Sequence, residues 1–201
     1  AREVLLGQER TFIVDFGIAD IVRPGAKRAF KLALEMKMRR RGLSEDEKRV
    51  MDLAYAHAPD AQLITVVDLR PLKEKYGIKN VPDMLLISKE GFLGRLIGRG
   101  GERINKVEEE SGLSLRGVEL SLDLKQLVCS IHPVGWIRKH VLNVDVVGVN
   151  LEVEVNSREF GAFVGQGGAY VRFLDEAFRK MLGVGVKARS VEVEERRRRR
   201  R

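Results

Sequence analysis

The chain has 201 residues, a formal charge of +8, 44% apolar and 33% charged residues, and one cysteine. Its length fits one or two domains of ~100–150 residues, and its apolar share excludes a disordered or collagen-like chain. Cys129 alone gives no intramolecular disulfide framework and no cysteine-cluster zinc site, His57, His132 and His140 are too scattered to propose a metal site, and no cofactor is expected.

Residues 1–43 carry an apolar stretch from Thr11 to Phe16, read as a strand. Pro24 suits the first turn of a helix running to about Arg41, because its missing N–H falls among donors that lack partners there. Phe30, Leu34 and Met38 recur every four residues beside Ala33 and give this helix one apolar stripe, with Gly42 placed to end it. Ten cations cluster here: Arg23, Lys27, Arg28, Lys31, Lys37, Arg39, Arg40, Arg41, Lys48 and Arg49. They face four acids, Glu35, Glu45, Asp46 and Glu47, for a local balance of +6. The cluster reads either as a solvated helix face or as the footprint of a polyanion, and alone it does not choose among RNA, DNA and anionic lipid.

Ser44 and Glu47 form a capping box for a helix that should reach about His57 and stop before Pro59. Two aliphatic runs, 63–69 and 84–88, read as strands joined by a connection containing Gly77 and Pro82. A short helix over 91–97, a glycine cluster, an amphipathic helix with Ile104 and Val107 on one face, and a strand over 113–120 complete the unit. The cadence then returns. Residues 123–131 have helical spacing, and 141–147 and 151–155 alternate as strands about a Gly148-Val149-Asn150 turn. A short glycine-containing helix over 160–164, a longer helix over 169–182 and a strand over 186–193 follow. The order helix–strand–strand–helix–glycines–helix–strand therefore occurs twice, an internal duplication.

The two copies align without a gap at an offset of 67 residues. Gly94, Leu96, Ile97, Gly98, Gly100 and Gly101 stand opposite Gly161, Phe163, Val164, Gly165, Gly167 and Gly168. A loop without Cβ atoms lets a polynucleotide backbone come close and tolerates the positive φ of a sharp turn between helices. The helix that follows turns its unpaired N–H groups and positive dipole end toward bound phosphates. The plainer reading is that these glycines only let two helices pack at a tight angle.

Ile97-Gly98-Arg99-Gly100-Gly101 and Val164-Gly165-Gln166-Gly167-Gly168 resemble the I-G-x-x-G signature of KH domains, whose GXXG loop clamps single-stranded RNA. With the strand pair preceding the loop, the order resembles the type II, prokaryotic-style KH fold. Residues 89–98 and 119–127 further resemble the archaeal NusA-like proteins, small tandem-KH transcription factors, and the likeness covers roughly 44–195. The resemblance implies binding of nascent RNA and modulation of transcription elongation or termination by RNA polymerase. The loops it points to are Gly98–Gly101 and Gly165–Gly168. Leu96, Ile97, Ile104, Phe163, Val164 and Val171 would flank them either as an apolar groove for bases or as core.

Arg99 is cationic where Gln166 is neutral. Charge therefore favours the first copy, supported by Arg95, Arg103 and Lys106, whereas the second offers Tyr170 and Arg172. Residues 1–43 and the tail Arg196–Arg201 are additions to the two-unit pattern. The tail supplies six positive charges, so residues 1–195 carry only +2 of the +8. It reads as a salt-sensitive, sequence-independent phosphate contact or as a tail without a partner.

No catalytic set is visible, and binding rather than catalysis is expected. Residues 72–87 superficially resemble the proline segment of thioredoxins, whose chemistry needs a Cys-x-x-Cys pair that this chain lacks. Cys129 is read as a small core residue. The pair Asp15/Asp20 lacks the context of a catalytic loop, and the run Glu108-Glu109-Glu110 reads as a solvated face. Trp136, the sole tryptophan, is read as a core or interdomain plug, with base stacking as the alternative.

The fold expected is α+β, two tandem type II KH modules, each a three-stranded sheet covered on one side by helices. Its parts are an extension with a basic helix (1–43), a first module (44–121), a second module (122–195) and the arginine tail (196–201). The expected partner is single-stranded RNA, with RNA polymerase or, as the competing reading, a ribosomal subunit and its folded RNA. With no apolar run near the ~18–20 residues of a membrane span and no signal-peptide core in AREVLLGQER, the expectation is a soluble, cytoplasmic protein with no membrane partner.

Overall fold

The computed structural model describes residues 24–193. The expected strand over 11–16, Asp15, Asp20, Arg23 and the arginine tail lie outside them. The fold is α+β, with two three-stranded mixed sheets and helices packed on them.

The first helix, α1 (Pro24–Arg40), is followed by α2 (Glu45–His57), β1 (Leu63–Asp68), α3 (Arg70–Tyr76) and β2 (Met84–Lys89). Helices α4 (Leu93–Ile97) and α5 (Glu102–Ser111) then lead to β3 (Leu115–Leu120). The second unit runs α6 (Leu124–Ile131), β4 (Val141–Val147), β5 (Asn150–Asn156), α7 (Phe160–Val164), α8 (Ala169–Leu182) and β6 (Gly185–Val191). In each sheet the first two strands are antiparallel, and the third lies parallel to the second. That parallel pairing requires a crossover, and the two helices flanking the glycines supply it.

The sheets differ in what covers them. In the second, Leu151, Val153 and Val155 are buried while Asn150, Glu152, Glu154 and Asn156 between them are not, the alternation of a sheet covered on one face. In the first, Leu63 to Val67 and Met84 to Ser88 are buried without interruption. Leu63, Val66, Met84 and Leu86 pack against Val50 and Ala54 of α2, Leu96 of α4 and Val107 of α5. Ile64, Val67, Leu85 and Ile87 face the other way and join a core that includes Phe30, Leu34 and Met38 of α1 and Phe173, Phe178 and Met181 of α8. A register shift between Leu63 and Thr65 moves successive β1 side chains to opposite layers at a spacing of three rather than two. The first sheet is thus covered on both faces, a correction to the one-sided cover expected for each module. The uninterrupted aliphatic runs record that second layer.

The helix of the N-terminal extension accordingly does more than carry charge. Phe30, Leu34 and Met38 are 3%, 4% and 0% exposed and seal the seam between the units. Several of its cations are paired internally: Arg39 with Glu35 at 3.0 Å, Lys31 with Glu90, and Arg41 with the buried Glu47 at 3.2 Å. Lys48 is paired with Glu45 at 2.9 Å. Arg28, Arg40 and Arg49 are exposed.

Glu47 explains how α2 is fixed. Ser44 Oγ accepts from the Glu47 N–H at 3.2 Å, and Glu47 Oε2 accepts from the Ser44 N–H at 3.0 Å, the reciprocal cap that the spacing predicts. Its second carboxylate oxygen accepts from Arg41 and from the Asp68 N–H at 2.9 Å, and lies 3.9 Å from Lys180 of α8. At 2% exposure this carboxylate is compensated on every side, as a buried charge must be.

The connection expected between the first two strands contains α3. Lys75 Nζ reaches Glu176 of α8 at 2.6 Å and the Tyr76 hydroxyl donates to the same carboxylate, so this helix also ties the units together. Trp136 departs from its expected place more sharply. It is 52% exposed on a short 3-10 turn, Gly135–Lys139, where Ile137 rather than the indole enters the core. Cys129 is buried as expected, and burial pushes its thiol up to about 11.

Candidate functional site

Helix α4 ends at Gly98, and α7 ends at Gly165. Each cap N–H bonds back to a glycine carbonyl, Gly94 or Gly161, at 2.9 Å. The backbone then enters conformations that favour glycine. Gly98, Gly100 and Gly101 have φ of 76°, 61° and 85°, and Gly165, Gly167 and Gly168 have 76°, 58° and 80°. The two bends are the same structure, and their spacing in sequence is matched in every dihedral sign.

The glycines divide the work. A Cβ on Gly98 would meet Arg103 Cγ at 2.7 Å, and one on Gly165 would meet the Tyr170 ring at 2.6 Å, so this position is bare to admit the first turn of the next helix. A Cβ on Gly100 or Gly167 would meet nothing within 4 Å. There the positive φ is the requirement, and the corner opens to solvent: Arg99, Gly100, Gln166 and Gly167 are all exposed. Helices α5 and α8 begin at Gly101 and Gly168 with no side chain capping either. Their leading N–H groups and positive dipole ends stand beside an exposed backbone corner, an arrangement that favours an anion.

The two corners carry their nearest cation on different elements. Arg99 is exposed at the first corner, while at the second the Arg172 guanidinium donates to the Gly167 carbonyl oxygen. An arginine thus stands at each corner, from the loop in one copy and from the following helix in the other. Arg95 is exposed with its guanidinium 4.7 Å from the Phe92 ring centroid, and Lys106 is exposed on α5.

Arg103 is different. Its Nη1 donates to Asp60 Oδ1 at 2.7 Å and to the Arg95 carbonyl oxygen at 2.8 Å. That contact holds the Asp60 carboxyl below the usual range. Arg103 therefore braces the bend while its side chain stays about a third exposed. Tyr170 is half-buried beneath Gly165 with its ring edge-on to His132 at 5.7 Å. Of the six flanking apolar residues, Leu96 and Phe163 are wholly core at 0% exposure, while Ile97, Ile104, Val164 and Val171 remain half-buried beside the bends.

Sequence reasoning missed His132. It is 1% exposed, stacked on Phe163 at 4.7 Å, and bonded through Nε2 to the Phe163 carbonyl oxygen at 2.9 Å. The contact spans 31 residues, and no local motif announces it. Burial pushes its pKa below the usual 6.5.

Among the described residues no group of three His, Cys, Asp or Glu side chains is placed to hold a metal ion, and no helix is long and apolar enough to cross a membrane. No family model matches the chain, and no curated protein matches it. Among solved structures, the crystal structure of APE1850 is similar to it at 23% identity, covering 73% of this chain and 100% of that one with a TM-score of 0.48.

Proposed function

We propose that this protein binds single-stranded RNA along its two glycine bends and that the two units are tandem type II KH modules. The observation that carries the reading is the duplicated corner itself. Three positive-φ glycines recur in each copy, and each corner is exposed, flanked by an arginine and followed by an uncapped helix N-terminus. A ribose-phosphate backbone needs such an approach free of Cβ atoms, with N–H groups to receive its phosphates. Ile97, Ile104, Val164 and Val171 supply apolar contacts for splayed bases. Arg95, Arg99, Lys106 and Arg172 set affinity and orientation.

The test is a gel-shift titration with single-stranded RNA. The double variant Gly100→Asp, Gly101→Asp places carboxylates where phosphates would lie, so binding is lost while the thermal unfolding midpoint shows a folded protein. Unchanged affinity rejects the assignment. By resemblance to the archaeal NusA-like proteins, we place this activity on nascent RNA, in elongation or termination with RNA polymerase. Cofractionation with polymerase in a gradient supports that setting, and cofractionation with ribosomal subunits overturns it in favour of a ribosome-associated role.

A further inference from the structure

Resting on the RNA-binding reading above, we infer that Trp136 is a stacking platform for one base of the same strand, beside the second bend. A plug residue would be inside, yet the indole is 52% exposed while its neighbour Ile137 is 0% exposed and anchors the turn. His140 stands perpendicular to it with centroids 5.6 Å apart, and among the described residues no ring is stacked parallel on the indole. Arg138 and Lys139 are exposed next to it, and residues 132–140 contain no carboxylate. Aromatic face plus cations is the chemistry that holds a base and its phosphate with little regard to sequence.

The turn is also fastened at both ends, to α7 before it and to the end of β5 after it. Before it, His132 bonds to the carbonyl oxygen of Phe163, two residues ahead of Gly165. After it, the His140 carbonyl oxygen accepts from the Asn156 N–H at 2.9 Å, where β5 hands the chain to α7. Only three residues lie between His132 and Trp136, so their Cα atoms are at most ~14 Å apart. The platform is thus tied to the helix that ends at Gly165, and on this inference a strand held at Gly165–Gly168 brings one of its next bases to the indole.

Because the chain has one tryptophan, its emission reports from this site alone. Full-length protein is titrated with a dye-labelled single-stranded RNA of mixed sequence. Dye anisotropy measures binding, and indole emission, excited beyond the tyrosine band, measures stacking. Emission should fall in step with saturation. Trp136→Ala should bind about tenfold more weakly with an unchanged melting temperature, and Trp136→Phe should recover most of that loss. If RNA binds but leaves the emission untouched, or if Trp136→Ala binds as tightly as the parent, the platform is rejected and the glycine bends stand. If the parent binds no RNA, both readings fall.

Discussion

The Nε2–H of His132 donates to the Phe163 carbonyl oxygen at 2.9 Å while its Nδ1 accepts from the Val134 N–H, also at 2.9 Å. Both bonds together require the neutral ring. Burial lowers the folded-state pKa below 6.5, so between the two pKa values the unfolded chain binds more protons. Stability contributed by His132 is therefore complete above 6.5 and falls as pH drops through the interval toward the folded value. Chemical denaturation at about pH 7.5 and about pH 5.5 should show the loss, and His132→Gln should flatten it. His132→Ala also strands the Phe163 carbonyl and the Val134 N–H, at about 1–3 kcal/mol for each group left unpaired.

The two kinds of glycine separate by stability. Gly98→Ala meets Arg103 Cγ at 2.7 Å and the Arg103 backbone nitrogen at 3.0 Å, in a conformation (φ 76°, ψ 175°) available essentially to glycine alone. Gly100→Ala has open space and carries only the left-handed penalty of about 1–2 kcal/mol. Melting temperatures should rank parent, Gly100→Ala, then Gly98→Ala, with Gly100→Asn close to the parent.

Arginines that look alike in the sequence should behave differently. Arg99→Ala should leave the melting temperature unchanged, weaken all single-stranded RNAs alike and reduce the salt slope by about one. Arg103→Ala removes bonds to Asp60 and to the Arg95 carbonyl, so its first effect is a lower melting temperature. Parallel affinity and stability measurements on both variants make the comparison.

Leu34 is 4% exposed within a core shared by α1, the first sheet and α8. Leu34→Ala should cost about 2–5 kcal/mol. The parent should unfold in one transition by both tryptophan fluorescence, which reports the second unit, and circular dichroism, which reports both. Two separated transitions would show that the units fold independently.

Much of this was legible in the chain because it is written locally. The capping pair Ser44/Glu47, the four-residue stripe Phe30–Leu34–Met38 and the glycine bends each depend on neighbours a few positions away. Helix α3 was not, because none of its residues is fully buried and Pro71 suggests a break, although its place in the first turn is one that proline tolerates. Its purpose lies in contacts with Glu176, about a hundred residues onward. The bracing roles of Arg103 and His132 were hidden for the same reason, since Asp60 and Phe163 are brought to them only by tertiary packing. Trp136 was misplaced by size: a large aromatic suggests the interior, yet Gly135, Arg138 and Lys139 beside it already described a surface turn.

With α1 wedged between the units, neither can swivel against the other without opening buried contacts at Phe30, Leu34 and Met38. The distance from one corner to the other is consequently set by that packing, and under the proposed RNA binding it becomes a fixed span for a strand to bridge. Oligonucleotides lengthened one residue at a time would gain affinity in a single jump, at the length that first lets both corners be gripped together.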